Sequence, residues 1–143
     1  MIPAIEKIGA RYDASLGWPD RAGFRAGACF AFPLYDFAHE RPANFLEIPL
    51  VFMDQNLLQR GRPESEWLDA VEEVISTSRR YGWGGVSVLW HNMAFEAMQL
   101  PAEAGRVFWT LMDRRAEVND AWFSATQFER TVRHRYAHVG LLQ

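Results

Sequence analysis

The sequence predicts an α/β protein in which parallel strands alternate with helices within one domain, residues 1–143. Two observations carry this prediction. Residues 85–90 form a short run that is apolar on both faces, which is typical of a parallel strand covered on both sides, and residues 46–52 are predicted as a second strand. Each run precedes a segment in which apolar residues recur at helical spacing. A repeat of strand and helix favours a parallel sheet with right-handed crossovers.

The first third of the sequence predicts a short helix, a long loop and a strand. Residues 3–10 carry apolar side chains at helical spacing and are expected to form the short helix. Residues 11–36 are expected to form the loop because glycine and proline interrupt any periodic pattern. Residues 46–52 form the first strand. Pro49 within them favours an edge position or a bulge, because proline cannot donate a backbone hydrogen bond.

The middle of the sequence predicts a long helix followed by the central strand. Pro63 suits the first turn of a helix and Gly82 suits its end. Between them the apolar residues that recur at helical spacing are Trp67, Leu68, Val71, Val74 and Ile75. Residues 85–90 then form the central strand, and the polar pair His91-Asn92 follows it directly.

The last third predicts a second long helix, a short strand and a final helix. Pro101 is expected to open the second helix, whose apolar stripe comprises Ala104, Val107, Phe108, Leu111 and Met112. Residues 121–123, Ala-Trp-Phe, are expected to form the short strand. Ser124 and Gln127 have the spacing of a capping box, which predicts a helix that continues to Tyr136.

Composition argues against several classes of partner. The net charge of −3 and the pI near 5.8 offer no electrostatic attraction for nucleic acid or for an anionic membrane. No apolar run approaches the roughly 20 residues of a membrane span, and no signal peptide is expected, because the first residues lack a basic region followed by an apolar core. Cys29 is the single cysteine, so an internal disulfide is excluded and a reducing compartment fits. A cytoplasmic protein is therefore expected.

Two titratable residues follow the two predicted parallel strands. Asp54 comes just after the first strand and His91 just after the second. Because the carboxyl ends of parallel strands lie on the same side of a sheet, the two side chains are expected to converge. An aspartate beside a histidine favours the imidazolium that a general acid requires. Arg25, from the glycine-rich loop, is expected to join them through a partly buried ion pair with Asp54.

Four segments in order carry a resemblance to a known family. They are Tyr-Asp-Ala-Ser-Leu-Gly at 12–17, Gly-Phe-Arg-Ala-Gly at 23–27, Leu-Glu-Ile-Pro-Leu with Met-Asp at 46–54, and Leu-Trp-His-Asn at 89–92. Together they resemble the polysaccharide deacetylases of carbohydrate esterase family 4, which carry the NodB homology domain. The resemblance extends from residue 11 to the final helix, and it implies a partial (β/α) barrel of the polysaccharide deacetylase type.

The resemblance implies a hydrolase that removes N-acetyl or O-acetyl groups from carbohydrate in a metal-dependent reaction. His91 is similar to the histidine that protonates the leaving amine, and Leu89 to the residue that lines the pocket for the acetyl methyl group. Trp90 is the candidate for contact with the sugar. Arg25 resembles the arginine that orients the catalytic base, and Asp54 the aspartate that supports the arginine and the histidine. Arg25 is followed by Ala-Gly where the family usually has Pro-Tyr.

The metal-binding motifs of that family do not occur in this sequence. The catalytic aspartate, the metal aspartate and both metal histidines belong to the first half of the family's domain, whereas this sequence has no Asp-Asp pair and no His-Ser/Thr-x-x-x-His segment. It therefore resembles the carboxyl-terminal half. We expect it to bind no zinc or other divalent metal by itself, to be inactive alone, and to pair with the missing half or self-associate. Acetylated carbohydrate is the expected partner.

Each candidate residue also has a purely structural explanation. His91 at a strand end can satisfy a loop carbonyl, Asp54 can cap a turn, and Arg25 can form a surface ion pair. A tryptophan at strand spacing, such as Trp90, is more often part of a core than of a sugar site. The alternative to a deacetylase-like hydrolase is accordingly a non-catalytic remnant, or a carbohydrate-binding module, of the same fold.

Overall fold

The computed structural model describes residues 1–58, 63–83, 85–95 and 102–140. Within these ranges the chain forms five strands and four α-helices. In chain order they are α1 (Ile2–Lys7), β1 (Tyr12–Asp13), β2 (Phe32–Asp36), β3 (Arg41–Glu47), β4 (Leu50–Met53), α2 (Glu64–Tyr81), β5 (Ser87–Leu89), α3 (Ala102–Glu117) and α4 (Ala125–His138). Short 3₁₀ turns follow β4 at Asp54–Leu58 and β5 at Asn92–Phe95.

The strands form two small sheets. One has the order β1-β3-β2, in which β1 runs parallel to β3 and β2 runs antiparallel to it. The other contains β4 and β5, which are parallel, with Phe52 opposite Val88. The unit β4-α2-β5 is therefore the predicted strand, helix and parallel strand, although β5 is shorter than residues 85–90. The fold is mixed α/β, and a partial (β/α) barrel stays a prediction.

The predicted strand at residues 46–52 is wrong, because this stretch contributes to two strands in different sheets. β3 ends at Glu47 and β4 begins at Leu50. Pro49 between them has no N–H for a ladder, but its carbonyl accepts hydrogen bonds from the backbone nitrogen of Ser87 at 2.8 Å and from the Ser87 hydroxyl at 3.1 Å. Ile48 donates instead to the Asp13 carbonyl at 2.8 Å. The chain thus passes from one sheet to the other at Pro49.

The prediction of a continuous loop over residues 11–36 is also wrong. Tyr12 pairs with Leu46 in β1, and Phe32 pairs with Glu47 in β2. Both strands lie against β3, which supplies the backbone partners that the local sequence does not indicate. Pro33 is compatible with β2 because this strand lies at the edge of its sheet.

The short strand predicted at residues 121–123 does not form. Trp122 and Phe123 are 58% and 55% exposed, and these residues adopt no regular secondary structure. No neighbouring strand among the described residues provides hydrogen-bond partners for their backbone. Their apolar side chains therefore mark a surface and not a buried sheet.

The long helices agree with the predicted boundaries where these are described, whereas α1 ends at Lys7 and not at residue 10. Pro63 lies at the N-cap of α2 and Gly82 at its C-cap. Gly82 is required there because a Cβ atom would lie 2.2 Å from the Cys29 carbonyl oxygen, which also accepts a hydrogen bond from Ser78. The capping box of α4 is confirmed, with Ser124 and Gln127 bonded reciprocally. Pro101, which was predicted to open α3, lies outside the described residues.

Two apolar clusters form the core. Helices α2 and α3 pack on the β4–β5 sheet in a cluster that includes Val51, Phe52, Trp67, Leu68, Val71, Ile75, Val107 and Leu111. Helix α4 packs on the three-stranded sheet in a second cluster that includes Ala31, Leu46, Ile48, Val132 and Tyr136. Among the described helices, none combines the length and apolarity needed to cross a lipid bilayer.

Glu47, at the end of β3, is a fully buried carboxyl group. One of its oxygens accepts a hydrogen bond from the Leu16 backbone nitrogen at 3.2 Å, and the other has no partner. Burial is the main cause that raises its pKa to about 7, and the neighbouring charge of Asp13 adds to the increase. In the unfolded chain a glutamate has a pKa of about 4.3. The folded state therefore holds a proton on Glu47 that the unfolded state has released at intermediate pH.

We expect Glu47 to make the protein less stable as the pH rises. The contribution of Glu47 to the unfolding free energy is fully present below the pKa of glutamate in the unfolded chain. It is lost as the pH rises through the folded pKa of about 7. For wild type this loss amounts to about 3 kcal/mol of unfolding free energy between pH 4.5 and pH 8. Glu47→Gln, which stays neutral, should not show this loss of unfolding free energy. Chemical denaturation at the two pH values measures the difference, with the exposed Glu73→Gln as the control. Equal pH dependence of wild type and Glu47→Gln would contradict this assignment.

Candidate active site

Asp54 and His91 meet at the carboxyl ends of β4 and β5. Asp54 begins the 3₁₀ turn directly after β4, and His91 follows β5 by two residues. The Asp54 Oδ1 atom lies 2.7 Å from His91 Nδ1, and Oδ2 accepts a hydrogen bond from the His91 backbone nitrogen at 2.7 Å. The predicted convergence of these two residues is confirmed. Its cause is the parallel pairing of β4 with β5, which brings both strand ends to one side of the sheet.

The two members of this pair differ in exposure. Asp54 is fully buried, whereas the His91 side chain is 37% exposed. Asp54 binds His91 with both carboxylate oxygens, one at the backbone nitrogen and one at Nδ1 of the ring. The imidazole is therefore fixed at two points. A proton on Nδ1 donates to Asp54 and leaves Nε2 free to give or accept a proton. The arrangement is that of an imidazole oriented by a buried carboxylate, which is suited to general acid–base chemistry.

A buried asparagine secures the turn that presents Asp54. Asn56 accepts a hydrogen bond from the Met53 backbone nitrogen at 2.9 Å and donates to the Trp18 carbonyl at 2.9 Å. It is fully buried. Asn56 thus connects the end of β4 to the irregular segment before β2, so the position of Asp54 depends on both parts of the chain.

Arg25 does not contact Asp54, and the predicted ion pair between them is wrong. The Arg25 guanidinium donates from Nη1 to the Gly17 carbonyl at 3.0 Å and lies over the Trp18 ring, 5.3 Å from its centroid. Its side chain is exposed. Asp54 is fully buried, whereas the Gly17 carbonyl and the Trp18 ring hold the Arg25 guanidinium at the surface. Arg25 is still linked to the site indirectly, since Trp18 also binds Asn56.

Leu89 and Trp90 lie in contrasting environments. The Trp90 ring packs against Phe52 and Phe108 with centroid distances of 5.2 Å and 5.5 Å, and its Nε1 donates to the Ala104 carbonyl at 3.0 Å. This packing favours the structural explanation of Trp90 over direct contact with a sugar. Leu89 is 40% exposed and lies two residues from His91. Since neighbouring strand residues alternate in direction, Leu89 points away from the core that Val88 enters.

A second contact between histidine and aspartate was not anticipated. His39 Nδ1 lies 2.8 Å from Asp36 Oδ2, and this hydrogen bond lowers the pKa of Asp36. The pair spans the turn between β2 and β3, where Ala38 donates its backbone N–H to the other Asp36 oxygen at 3.1 Å. The Asp-x-x-His spacing in a turn was the available signal. These contacts close a hairpin, so His39 is a matched structural counterpart of His91.

The described residues do not form a site for the divalent metal that the resemblance implies. Within residues 1–58, 63–83, 85–95 and 102–140, no group of three histidine, cysteine, aspartate or glutamate side chains is placed to hold an ion. The two oxygens of Asp54 are both engaged by His91. Open catalytic metal sites generally use three protein ligands.

We expect His91 and Asp54 to be energetically coupled. A double-mutant cycle with His91→Ala and Asp54→Asn should give an interaction energy of about 1–3 kcal/mol, because His91→Ala removes the hydrogen bond between the ring and the buried carboxylate and leaves the one from the backbone nitrogen. Chemical denaturation of wild type, both single variants and the double variant measures it. The matching cycle with Arg25→Met and Asp54→Asn should be additive within about 0.5 kcal/mol. Additivity in the His91 cycle would show that the contact is absent in solution.

Comparison with known proteins leaves this geometry without a named relative. No family model, curated protein or solved structure matches the chain. The resemblance to polysaccharide deacetylases therefore rests on the four sequence segments described above.

Proposed function

We propose that this chain provides the general acid of a polysaccharide deacetylase-like hydrolase that removes acetyl groups from carbohydrate. The observation that carries the proposal is the contact between the buried Asp54 carboxylate and the partly exposed His91 imidazole. The order of the four sequence segments supports the substrate class. The two lines of support meet at His91, which belongs to both the last segment and the observed pair.

In this proposal His91 protonates the leaving nitrogen of an acetylated amino sugar. An amide nitrogen leaves readily only when it gains a proton as the bond to the acyl carbon breaks. The imidazolium donates that proton from Nε2, while Nδ1–H stays bonded to Asp54. The buried carboxylate accepts the Nδ1–H before and after transfer, and so it keeps the orientation and the tautomer of the ring. Water adds to the acyl carbon as a base of the other segment takes its proton, and the C–N bond then breaks, so the products are the free amine and acetate.

The neighbouring residues receive roles that follow from their placement. The exposed Leu89 side chain offers an apolar contact for the acetyl methyl group beside His91. Trp90 acts as a positioning residue, since its anchored ring holds the end of β5. Arg25 keeps guanidinium donors beyond the one that binds Gly17, and these are available to orient a carboxylate supplied by another segment.

The catalytic base and the metal ligands belong to that other segment in this proposal. The residues described in this chain provide an acid, an apolar contact and an arginine. A segment with the Asp-Asp and histidine-pair motifs would complete the site, and the chain alone is expected to be inactive. A cytoplasmic location also stays a prediction.

We expect acetate release to require His91. The chain is mixed with a polypeptide that carries the Asp-Asp and histidine-pair half of a deacetylase domain, and N-acetylglucosamine oligosaccharides are the substrate. His91→Ala should lower the rate by at least about 100-fold, the usual effect of removing a general acid. Asp54→Asn should also lower it, because the imidazole loses the carboxylate that orients it. His39→Ala, which removes the matched histidine of the hairpin, should leave the rate unchanged.

Two results would contradict the proposal. One is equal acetate release by wild type and His91→Ala. The other is that the oligosaccharide binds but no acetate is released, either by the chain alone or by the mixture, and that His91→Ala does not alter this binding. The latter result would support a non-catalytic carbohydrate-binding module.

A further inference from the structure

A cavity of about 560 Å³ lies between β5 and the helices α2, α3 and α4. Its walls are mainly apolar and include Ile48, Ile75, Val86, Val88, Phe128 and Val132. Half-exposed aromatic side chains of Trp83, Trp122 and Phe123 also line it. Its volume falls within the range of roughly 300–1,000 Å³ that is typical of small-molecule sites. Asp54, Leu89 and His91 do not line this cavity, so it is separate from the candidate active site.

Arginine dominates the charge of the cavity wall. Arg79, Arg115 and Arg135 line the cavity, together with a single carboxylate, Asp120. Asp120 binds both Arg79 and Arg115, and Arg115 is bonded also to Glu72. With Glu72 counted beside Asp120, three guanidinium groups face two carboxylates, so the wall keeps one net positive charge. Such a wall attracts an anionic group and repels a cationic one.

Arg115 is the buried polar element of this site. It is only 8% exposed, and its Nε–H has no hydrogen-bond acceptor, although its two terminal nitrogens are bonded to Glu72 and Asp120. A buried donor without an acceptor is unfavourable by about 1–3 kcal/mol. Its ion pairs with Glu72 and Asp120 fix this guanidinium in the wall of the cavity.

Arg135 adds a second guanidinium that is not neutralised. It lies over the Trp83 ring, 5.8 Å from the centroid, and within the described part of the chain it has no carboxylate partner. Its side chain is exposed, so its charge faces the solvent side of the cavity. Arg135 can therefore meet a ligand anion without first breaking an ion pair.

We propose that this cavity binds an anionic amphiphile, namely an alkyl chain that carries a carboxylate. The alkyl chain would cover the aliphatic wall formed by residues such as Ile75, Val86 and Val88, because burial of apolar surface is favourable. The carboxylate would bind the arginine side, where a guanidinium offers paired donors to a planar anion. A neutral ligand of the same length gains only the first of these contributions. The proposal does not depend on the catalytic role of His91.

The probe is decanoate, with decan-1-ol as the uncharged ligand of equal chain length, and calorimetric titration measures binding. We expect one decanoate per chain, bound about tenfold more tightly than decan-1-ol, as the loss of one charge-assisted hydrogen bond predicts. Arg135→Gln should weaken decanoate binding by about tenfold and leave decan-1-ol binding unchanged. Arg130→Gln is the matched control, because it removes the same charge from an exposed position on α4 outside the cavity.

A second variant tests the location by volume and not by charge. Ala121 is exposed and lines the cavity, so Ala121→Trp should fill part of it and weaken both probes without disturbing the core. His91→Ala should bind decanoate as wild type does. The proposal is overturned if decanoate does not bind, if decan-1-ol binds as tightly, if Arg130→Gln and Arg135→Gln have equal effects, or if Ala121→Trp has none.

Discussion

The buried carboxylate of Asp54 is the interaction on which the arrangement of the site depends. Removing a charge from water is unfavourable unless it is paired and hydrogen-bonded. Both oxygens of Asp54 bind His91, one through the ring and one through the main chain. This requirement joins the ends of β4 and β5, which are separated in sequence by the whole of α2. The same two contacts that satisfy the buried charge also orient the imidazole for proton transfer.

A second constraint is the change of sheet at Pro49. Because the chain leaves the three-stranded sheet and enters the β4–β5 sheet at this residue, the two apolar clusters lie against different sheets. Helix α4 covers one sheet, and α2 and α3 cover the other. The cavity with the three arginines is lined by residues of both clusters, including Ile48 and Ile75. The candidate active site lies at the carboxyl ends of β4 and β5, whereas the cavity lies where residues of the two clusters meet.

Local sequence signals were sufficient for the elements whose hydrogen bonds are local. Pro63 and Gly82 predicted the limits of α2, and the capping box at Ser124 predicted the start of α4, because helix ends are satisfied by residues a few positions away. The meeting of Asp54 with His91 was also predictable. It follows from parallel pairing in a strand, helix and strand unit, a rule that requires no knowledge of the remaining contacts.

What the sequence determined by itself was therefore the helices, the β4-α2-β5 unit and the pairing of His91 with Asp54. Only the tertiary structure decided that β1 and β2 form against β3, that residues 121–123 stay outside a sheet, and that Arg25 binds Gly17 instead of Asp54. The physical reason is the same in each case. Strand pairing and the choice of ion-pair partner depend on backbone and side-chain groups that are distant in sequence, and a local pattern does not specify which of these groups is near.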